Sequence, residues 1–454
     1  MACVSELLKK KNLSVGIFGV GESNAGVEAY LKSKNPSFRL TVRSDKKIDA
    51  SAFKDAERFF TGEDALNDID EDVLFLSPSV RRERKEILKA QERGVLISSD
   101  ADFFFELTDK APVSVTGSDG KSTTTHLIAK AYSLSGYPAI PCGNYGISLC
   151  SVLDKNAFAV SELSSFQLNY AKPRSSYAVI TNITPNHLNW HTSLEEYIQA
   201  KMNVTENAEK IIFDADSPIL AKALANREVF CKSSLLFDYS RLKATGGSEN
   251  YVTFKNDIIY INESAFCDIS NAKRKEPYNI RNFMITVAAC IDKCHEKAIT
   301  DAIVNFSGLR HRAELFFEHD GIKYIDSSID SSPERTIKTL SALSDKAIVI
   351  IGGMGKGLSL DELARSLPIL TEGAILLGDV GNNLAEILSA QYTSYAFSKA
   401  NDLTDAITKA KELLNGCGTI ILSPAATSFD RYKNFVERGN DFKTVVLKSS
   451  EKTP

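Results

Sequence analysis

The segment from Val113 to Thr124 constrains the fold of this chain more than any other stretch. Its sequence is Val-Ser-Val-Thr-Gly-Ser-Asp-Gly-Lys-Ser-Thr-Thr. The pattern predicts a strand over Val113–Thr116, a loop over Gly117–Gly120 and a helix over Ser122–Leu134. Backbone N–H groups of such a loop and of the following helix N-terminus can wrap a triphosphate. We therefore predict a phosphate-binding loop at the C-terminal end of a buried strand.

The side chains of this loop suit a nucleotide with a divalent cation. Lys121 would reach the β- and γ-phosphates, and a hydroxyl from Ser122 or Thr123 would ligate Mg²⁺. The generic motif has another glycine about five residues before its Gly-Lys pair, where this chain has Val115. A glycine-rich turn that is capped by Ser122 and binds nothing is the alternative. The predicted nucleotide-binding residues are Gly117, Ser118, Asp119, Gly120, Lys121, Ser122 and Thr123.

Short apolar runs alternate with helical patterns along the whole chain. Such strands are typical of parallel sheets that carry helices on both faces. With 454 residues the chain is long enough for two or three domains. We predict an α/β protein of three consecutive domains, residues 1–99, 100–308 and 309–454, with a polar β excursion at 240–275. The predicted strands are Val15–Val20, Phe38–Val42, Val73–Leu76, Val95–Ile97, Val113–Thr116, Phe158–Val160, Tyr177–Ile180, Ile322–Ile325, Ala347–Ile351, Ala374–Leu377 and Thr419–Leu422.

Composition excludes several classes of function. Lys and Arg total 54 against 58 Asp and Glu, so the chain lacks the basic excess of a dedicated nucleic-acid binder. No apolar run reaches the roughly 18 to 20 residues needed to span a bilayer, so we expect no membrane partner. The 8 cysteines include no Cys-x-x-Cys pair. We interpret them as reduced thiols of a cytoplasmic protein.

A second glycine-rich loop follows the first predicted strand. It reads Gly19-Val-Gly-Glu-Ser-Asn24 and is similar to a dinucleotide fingerprint. Asn24 stands in place of the third glycine, however, and Val42 and Arg43 end the next strand where an acidic residue is expected. A tight turn between strand and helix, without a ligand, explains the same residues.

Two side chains follow strands that belong to the sheet of the phosphate loop. Glu162 comes directly after an apolar run, where a carboxylate is well placed to hold Mg²⁺. His187 follows the strand Tyr177–Ile180 through a short loop, which puts it at the same edge of the sheet. A loop histidine that only forms hydrogen bonds is the alternative for His187.

A lysine stands on the apolar face of the next predicted helix, Ser193–Val204, which has Ser193 as its N-cap. Lys201 shares that face with Leu194, Tyr197 and Ile198. Judged from the residues alone, a lysine there extends its ammonium group to water. If the side chain were buried instead, its pKa would fall and the neutral amine could be carbamylated by CO₂, giving a carboxylate-like Mg²⁺ ligand.

Together, the motifs resemble those of the Mur ligase family of peptidoglycan synthesis, and within it the branch that adds D-glutamate. The segments that carry the resemblance are Thr116–Thr123, Cys142–Gly146, Glu162–Gln167, Asn186–His187, Tyr278–Asn282, Gly308–Arg312, Gly352–Lys356 and Ser423–Asn440. The resemblance implies a Rossmann-like first domain for UDP, a central P-loop ATPase-like domain for ATP, and a Rossmann-like last domain for the amino acid. It implies that ATP phosphorylates the carboxylate of UDP-N-acetylmuramoyl-L-alanine and that D-glutamate attacks the acyl phosphate. We expect a monomer.

The resemblance also implies residue roles. Two Mg²⁺ ions would be held by Ser122, Thr123, Glu162, His187 and carbamylated Lys201, and catalysis would rest on Lys121, Glu162, His187 and Lys201. The nucleotide would meet Asn279, Arg312 and Asp326. The substrates would meet Gly19, Gly21, Ser23, Ser77, Asn144, Ser164, Ser331, Lys356, Ser428 and Phe435.

This chain departs from the family pattern in its last domain. The family usually reads Asn-Asp-Ser-Lys-Ala-Thr where this chain reads Asp326-Ser-Ser-Ile-Asp-Ser331. Ser327 and Ile329 therefore replace an aspartate and a lysine, and Asn189 replaces an aspartate after the metal-site histidine. Two alternatives stay open: another amide ligase of this superfamily, such as a folylpolyglutamate synthase or a different Mur ligase, or an ATP-bound switch without ligase activity.

Overall fold

A computed structural model describes most of the chain. The described residues are 6, 8–19, 22–45, 55–186, 190–225, 228–235, 248–343, 345–354, 359–426, 428, 431–432 and 434–451. The chain divides into two compact units, residues 1–306 and 307–454. Among the described helices, none has the length and apolar character needed to cross a membrane. The cysteines that can be assessed, which exclude Cys3, are free thiols as expected.

The first sheet is a five-stranded parallel sheet in the order β3-β2-β1-β4-β5. Its strands are β1 (Ser14–Phe18), β2 (Arg39–Ser44), β3 (Ala56–Thr61), β4 (Val73–Leu76) and β5 (Leu96–Ser98). The helices of this region are α1 (Glu22–Lys34), the 3₁₀-helix Gly62–Leu66, α2 (Lys85–Glu92) and α3 (Asp100–Leu107). The predicted first strand stops at Phe18, because the next residue, Gly19, turns the chain with a φ of +93°.

The second sheet has nine strands in the order β14-β13-β12-β11-β10-β9-β6-β8-β7. They are β6 (Val113–Thr116), β7 (Ala139–Gly143), β8 (Phe158–Glu162), β9 (Arg174–Ile180), β10 (Asn207–Asp214), β11 (Val229–Ser234), β12 (Ser248–Lys255), β13 (Ile258–Ile261) and β14 (Ser264–Asp268). At one edge, β13 pairs antiparallel with both β12 and β14. The other neighbouring strands pair parallel. The predicted polar excursion thus extends this sheet, although its residues 240–247 lie outside the described part.

The helices of the second sheet follow its strands in the chain. They are α4 (Lys121–Leu134), the 3₁₀-helix Leu149–Val152, α5 (Ser165–Leu168), α6 (Leu194–Met202), the 3₁₀-helix Asn203–Thr205, α7 (Pro218–Ala223), α8 (Pro277–Cys290) and α9 (Glu296–Val304). The oxygen of Ser193 accepts a hydrogen bond from the backbone of Glu196, so the predicted N-cap of α6 is confirmed.

The second unit holds a six-stranded sheet in the order β15-β16-β20-β17-β18-β19. Its strands are β15 (Glu314–His319), β16 (Ile322–Asp326), β17 (Ala347–Gly352), β18 (Thr371–Leu377), β19 (Phe397–Lys399) and β20 (Gly418–Leu422). Its helices are α10 (Pro333–Ser341), α11 (Asp361–Leu370), α12 (Gly378–Gln391), α13 (Leu403–Leu414) and α14 (Phe435–Glu451). Only β15 runs antiparallel to its neighbour. The α/β prediction is confirmed for both units.

A fully buried ion pair joins β2 to the segment that leads into β4. The side chains of Arg43 and Glu71 both have 0% exposure. Arg43 donates from Nε and Nη2 to Oε1 of Glu71, at 3.0 and 2.8 Å. Its remaining N–H groups reach the backbone carbonyls of Ala65, Asn67 and Asp68. Arg43, which stands where a dinucleotide fingerprint would place its acid, therefore serves the packing of the first sheet.

We predict that Glu71→Ala destabilises the first unit by about 3–5 kcal/mol, because it leaves the guanidinium group buried without its counter-ion. The matched control is Asp70→Ala, which removes a neighbouring carboxylate that is 64% exposed and bonds to Arg58. That change should cost less than about 1 kcal/mol. Thermal and urea unfolding of the purified variants measures both. Equal losses for the two variants would contradict the assignment.

Candidate active site

The phosphate loop leaves the C-terminal end of β6 in the conformation that the motif requires. Gly117 and Gly120 have φ values of +144° and +79°, and Gly120 precedes the first residue of α4. The segment after the neighbouring strand β9 fastens the loop. The backbone N–H of Ser118 donates to the Asn182 carbonyl at 2.9 Å, and that of Asp119 donates to the Asn182 side chain at 3.0 Å. The conformation of the loop therefore depends on residues that follow two adjacent strands, β6 and β9.

Two lysine ammonium groups meet at the start of this loop. Lys121 donates to the carbonyls of Gly117 and Ser118, at 2.9 and 3.0 Å. Lys201, from helix α6, donates to the same Gly117 carbonyl at 2.7 Å. These contacts bring together two residues separated by 80 positions in the chain.

Lys201 does not extend to solvent, so the interpretation favoured by the residues alone is wrong. The side chain lies among buried groups with 2% exposure, and its ammonium group is 4.9 Å from the centre of the Tyr197 ring. Burial lowers the pKa of Lys201 well below its usual range, and the charge of Lys121 acts in the same direction. The carboxylates of Glu162 and Asp119 oppose this shift without cancelling it. The environment favours a neutral amine, which is the form that reacts with CO₂.

Glu162 ends strand β8, beside the strand that carries the phosphate loop. The residue is 1% exposed, and its Oε1 accepts a hydrogen bond from Nδ2 of Asn144 at 2.7 Å. Its Oε2 is buried and has no hydrogen-bond partner among the described residues. A buried carboxylate oxygen without a partner is costly unless a cation or a donor satisfies it. The side chain therefore fits a divalent cation beside the loop.

Helix α8 contributes a residue that the sequence interpretation missed. A Cβ placed on Gly120 would lie only 2.2 Å from Oδ1 of Asn282, and Thr124 also donates toward that oxygen at 3.4 Å. Asn279, which was predicted, lies one turn earlier on the same helix and donates to Glu276 at 2.8 Å. The Asn-x-x-Asn spacing was the available signal, because residues three apart share a helix face.

The glycine-rich turn after β1 is held by a side chain rather than by a third glycine. Nδ2 of Asn24 donates to the carbonyl of Gly19 at 2.7 Å and to the Ser77 hydroxyl at 3.3 Å. The turn and the segment after β4 are therefore neighbours, and both lie at the C-terminal edge of the first sheet. Ser23 is half-buried near them, whereas Gly21 lies outside the described residues.

In the second unit, the predicted nucleotide residue Asp326 is buried in a polar cluster. Its Oδ2 bonds to Nδ1 of His311 at 2.7 Å, and its Oδ1 accepts the backbone N–H of Ser328 at 2.9 Å. Lys443 reaches Oε2 of Glu314 at 2.6 Å, which also accepts the His311 backbone N–H. Two residues of this cluster, His311 and Glu314, flank Arg312 in the chain and are joined by a hydrogen bond.

Only some of the residues predicted to bind the amino acid lie in the described part of the chain. Ser331 is half-buried just before α10, Ser428 is buried after β20, and Phe435 begins α14 within 6.1 Å of the His311 ring centre. Ser327, one of the departures from the family, accepts the backbone N–H of Ala313 at 3.1 Å. His187, Asn189 and Lys356 lie outside the described residues.

Ser164, the remaining predicted substrate residue, is fixed by a capping box. Its hydroxyl accepts the backbone N–H of Gln167, and the Gln167 side chain accepts the Ser164 N–H at 3.0 Å. Together with Asn144 and Glu162 it lies near the C-terminal ends of β7 and β8, beside the phosphate loop. The structure therefore gathers the loop, Glu162, Asn144 and Lys201 at one sheet edge.

Comparisons with known proteins show which family the chain is similar to. A family model described as the Mur ligase middle domain matches residues 115–290. Two relatives, from Ruminiclostridium cellulolyticum and Acetivibrio thermocellus, are both named UDP-N-acetylmuramoylalanine--D-glutamate ligase. They are 35% and 32% identical to this chain, and each alignment covers 96% of this chain and 97% of the relative.

Solved structures give the fold independently. The UDP-N-acetylmuramate-alanine ligase of Thermotoga maritima matches with a TM-score of 0.61 and 16% identity, over 96% of this chain and 100% of that one. A UDP-N-acetylmuramoyl-L-alanyl-D-glutamate--2,6-diaminopimelate ligase matches with a TM-score of 0.54 and 14% identity, over 98% and 94%. At such identities these structures show the fold alone.

We predict that Gly120→Ala abolishes ATP binding, because the new methyl group would collide with Asn282 and displace the loop. Gly136→Ala is a matched control, since Gly136 follows the other end of α4 with a φ of +85° and no atom within 4 Å of the added Cβ. Each alanine costs about 1–2 kcal/mol for its left-handed backbone. Calorimetric titration with ATP separates the two effects. Similar affinity in both variants would show that Asn282 does not limit the loop.

Proposed function

Because the chain belongs to the Mur ligase family, we propose that it joins D-glutamate to UDP-N-acetylmuramoyl-L-alanine with hydrolysis of ATP to ADP and phosphate. The observation that carries the proposal is the convergence of the phosphate loop, Glu162 and buried Lys201 at one sheet edge. The similarity over 96% of the chain to relatives named as D-glutamate ligases supports the choice of amino acid.

The chemistry needs little covalent help from the protein. A carboxylate is a poor electrophile, so its phosphorylation by ATP supplies a leaving group. The amine of D-glutamate then attacks the acyl carbon, the C–O bond to phosphate breaks, and an amide forms. Such transfers depend on positioning and on neutralisation of phosphate charge. We assign that task to the N-terminal turn of α4 and to the ammonium group of Lys121, because the backbone N–H groups of Ser118 and Asp119 donate to Asn182.

We also propose that the site holds two Mg²⁺ ions. Ser122 or Thr123 with Glu162 would hold one ion, and Glu162, His187 and carbamylated Lys201 would hold the other. The fit rests on the partnerless, buried Oε2 of Glu162. Bound Mg²⁺ would neutralise charge that develops on the phosphate oxygens. Asn144, which already bonds to Glu162 at 2.7 Å, would orient that carboxylate and meet the substrate carboxylate.

We extend the proposal to the whole chain. Residues 1–99 would bind the UDP group through Gly19, Gly21, Ser23 and Ser77, and residues 100–308 would bind ATP. Residues 309–454 would bring D-glutamate through Ser331, Lys356, Ser428 and Phe435. Asn279, Arg312 and Asp326 would meet the nucleotide, and Ser164 would meet the peptide substrate. We propose a cytoplasmic monomer with no nucleic-acid or membrane partner.

We predict that phosphate release requires both UDP-N-acetylmuramoyl-L-alanine and D-glutamate. A cation at Lys356 and a hydroxyl at Ser428 suit a side-chain carboxylate, so D-glutamine and L-glutamate should be poor substrates. A colorimetric phosphate assay with each amino acid, and with none, tests this. Release without an amino acid would favour an ATP-bound switch, and equal use of another amino acid would favour a different ligase of the family.

We predict that Lys201→Ala lowers kcat by about 10²-fold or more, because the amine that forms the carbamate is lost. Excess bicarbonate should not restore activity, whereas acetate should restore part of it. In ¹³CO₂-equilibrated buffer, NMR should show a carbamate signal that disappears in Lys201→Ala. Lys232→Met is the matched control, because Lys232 is also buried with a pKa lowered by burial. Loss of the signal in the control, or its persistence in Lys201→Ala, would refute the carbamate.

A further inference from the structure

Arg81 lies in the segment between β4 and α2, residues 77–84, which we call the Ser77 loop. Its guanidinium group binds to the segment that precedes α6. Nη1 donates to the Trp190 carbonyl at 3.1 Å and lies 3.0 Å from Oε1 of Glu196, in the first turn of α6. The group also stacks 4.8 Å from the centre of the Trp190 ring. A planar guanidinium can combine such contacts, whereas an ammonium group cannot.

Trp190 in turn donates a hydrogen bond to the Ser77 loop. Its indole Nε1 donates to the Ser79 carbonyl at 2.7 Å. The ring also contacts Phe166 and His191, with a centroid separation of 4.7 Å in each case. Trp190 is therefore held on one side by the Ser77 loop and on the other by Phe166 of α5 and by the adjacent His191.

The charge of Arg81 is already balanced by protein carboxylates. Besides Glu196, Glu83 accepts from its Nε at 3.1 Å. Arg82 beside it pairs with Asp102 and stacks on Tyr170. Both arginines are thus engaged between segments of the first and second sheets. Their contacts suit a structural link better than a ligand site. We call the link that Arg81 and Trp190 form with Ser79 and Glu196 the tie.

The two ends of this tie belong to different parts of the proposed reaction. The Ser77 loop carries the proposed UDP contact Ser77. The other end is Trp190, three positions after the proposed metal ligand His187 in sequence, and Glu196, on the same helix as Lys201. Arg81 and Trp190 therefore connect the Ser77 loop to the elements that carry the proposed metal-site residues.

We propose that Arg81 and Trp190 are positioning residues that set the metal-side elements of the site when the UDP group binds at the Ser77 loop. This inference rests on the proposed function. Individual contacts of this kind are weak at the surface, since the Arg81 side chain is 27% exposed. Together they fix a relative position, and an error of about 1 Å in a catalytic group can cost about 10²-fold in rate.

The test uses the full-length enzyme and four variants. Arg81→Ala removes the guanidinium contacts to Trp190 and Glu196, and Arg81→Lys keeps the charge but loses the flat, stacking group. Trp190→Phe keeps a ring and loses the bond to Ser79. Arg84→Ala is the matched control, because Arg84 is in the same loop but pairs with Asp45 and contacts Phe18.

Arg81→Ala should lower kcat about tenfold and raise the Mg²⁺ requirement, with KM for ATP unchanged. The kcat values of Arg81→Lys and Trp190→Phe should lie between those of Arg81→Ala and wild type. The kcat of Arg84→Ala should equal that of wild type. Unchanged kcat in Arg81→Ala, or an equal loss in Arg84→Ala, would overturn the proposal. If Arg81→Ala fails to fold, the two conservative variants decide by the same criteria.

A binding measurement separates this inference from the proposed function. Trp190 is the sole tryptophan of the chain, so its fluorescence reports on the tie directly. Titration with UDP should change the emission of wild type and of Arg84→Ala, and the change should be largely lost in Arg81→Ala. An unresponsive wild type, or an equal response in Arg81→Ala, would overturn the tie. Absence of D-glutamate-dependent phosphate release with this response intact would instead reject the proposed reaction.

Discussion

The carbonyl oxygen of Gly117 is the acceptor on which the candidate site depends. Lys121 and Lys201 both donate to it, at 2.9 and 2.7 Å, although they come from different helices. Two ammonium groups held this close repel one another. That repulsion acts in the same direction as burial, and both lower the pKa of Lys201. The same contact is consistent with the different roles that we propose for the two lysines.

Loop shape is set by the surrounding side chains as much as by glycine. Asn182 fastens the backbone of Ser118 and Asp119, and Asn282 fills the space that a side chain at Gly120 would need. These asparagines lie on separate elements, after β9 and in α8. These contacts constrain the conformation of the phosphate loop, and such preorganisation lowers the entropy cost of binding.

The sequence predicted correctly those features that depend on a local residue pattern or on the motifs of the family. It predicted strand β6 at its observed bounds, the Ser193 cap and the Mur ligase family, and these are confirmed. It missed the edge strands β3 and β7, and Pro141 in β7 is a residue that interior strands exclude. It also missed the interior strands β10 and β11. It favoured a solvent-exposed Lys201, because an apolar helix face does not reveal how deeply the helix is packed.

The sequence by itself determined the α/β class, the phosphate loop and the residue types that a phosphate and Mg²⁺ site requires, since these depend on local patterns and on chemistry carried by single side chains. The tertiary structure alone decided that Lys201 is buried, that one oxygen of Glu162 has no partner among the described residues, and that Arg81 joins Trp190 and Glu196. Each of these depends on atoms brought together from distant segments. Burial and pairing are properties of that assembly, and no local pattern encodes them.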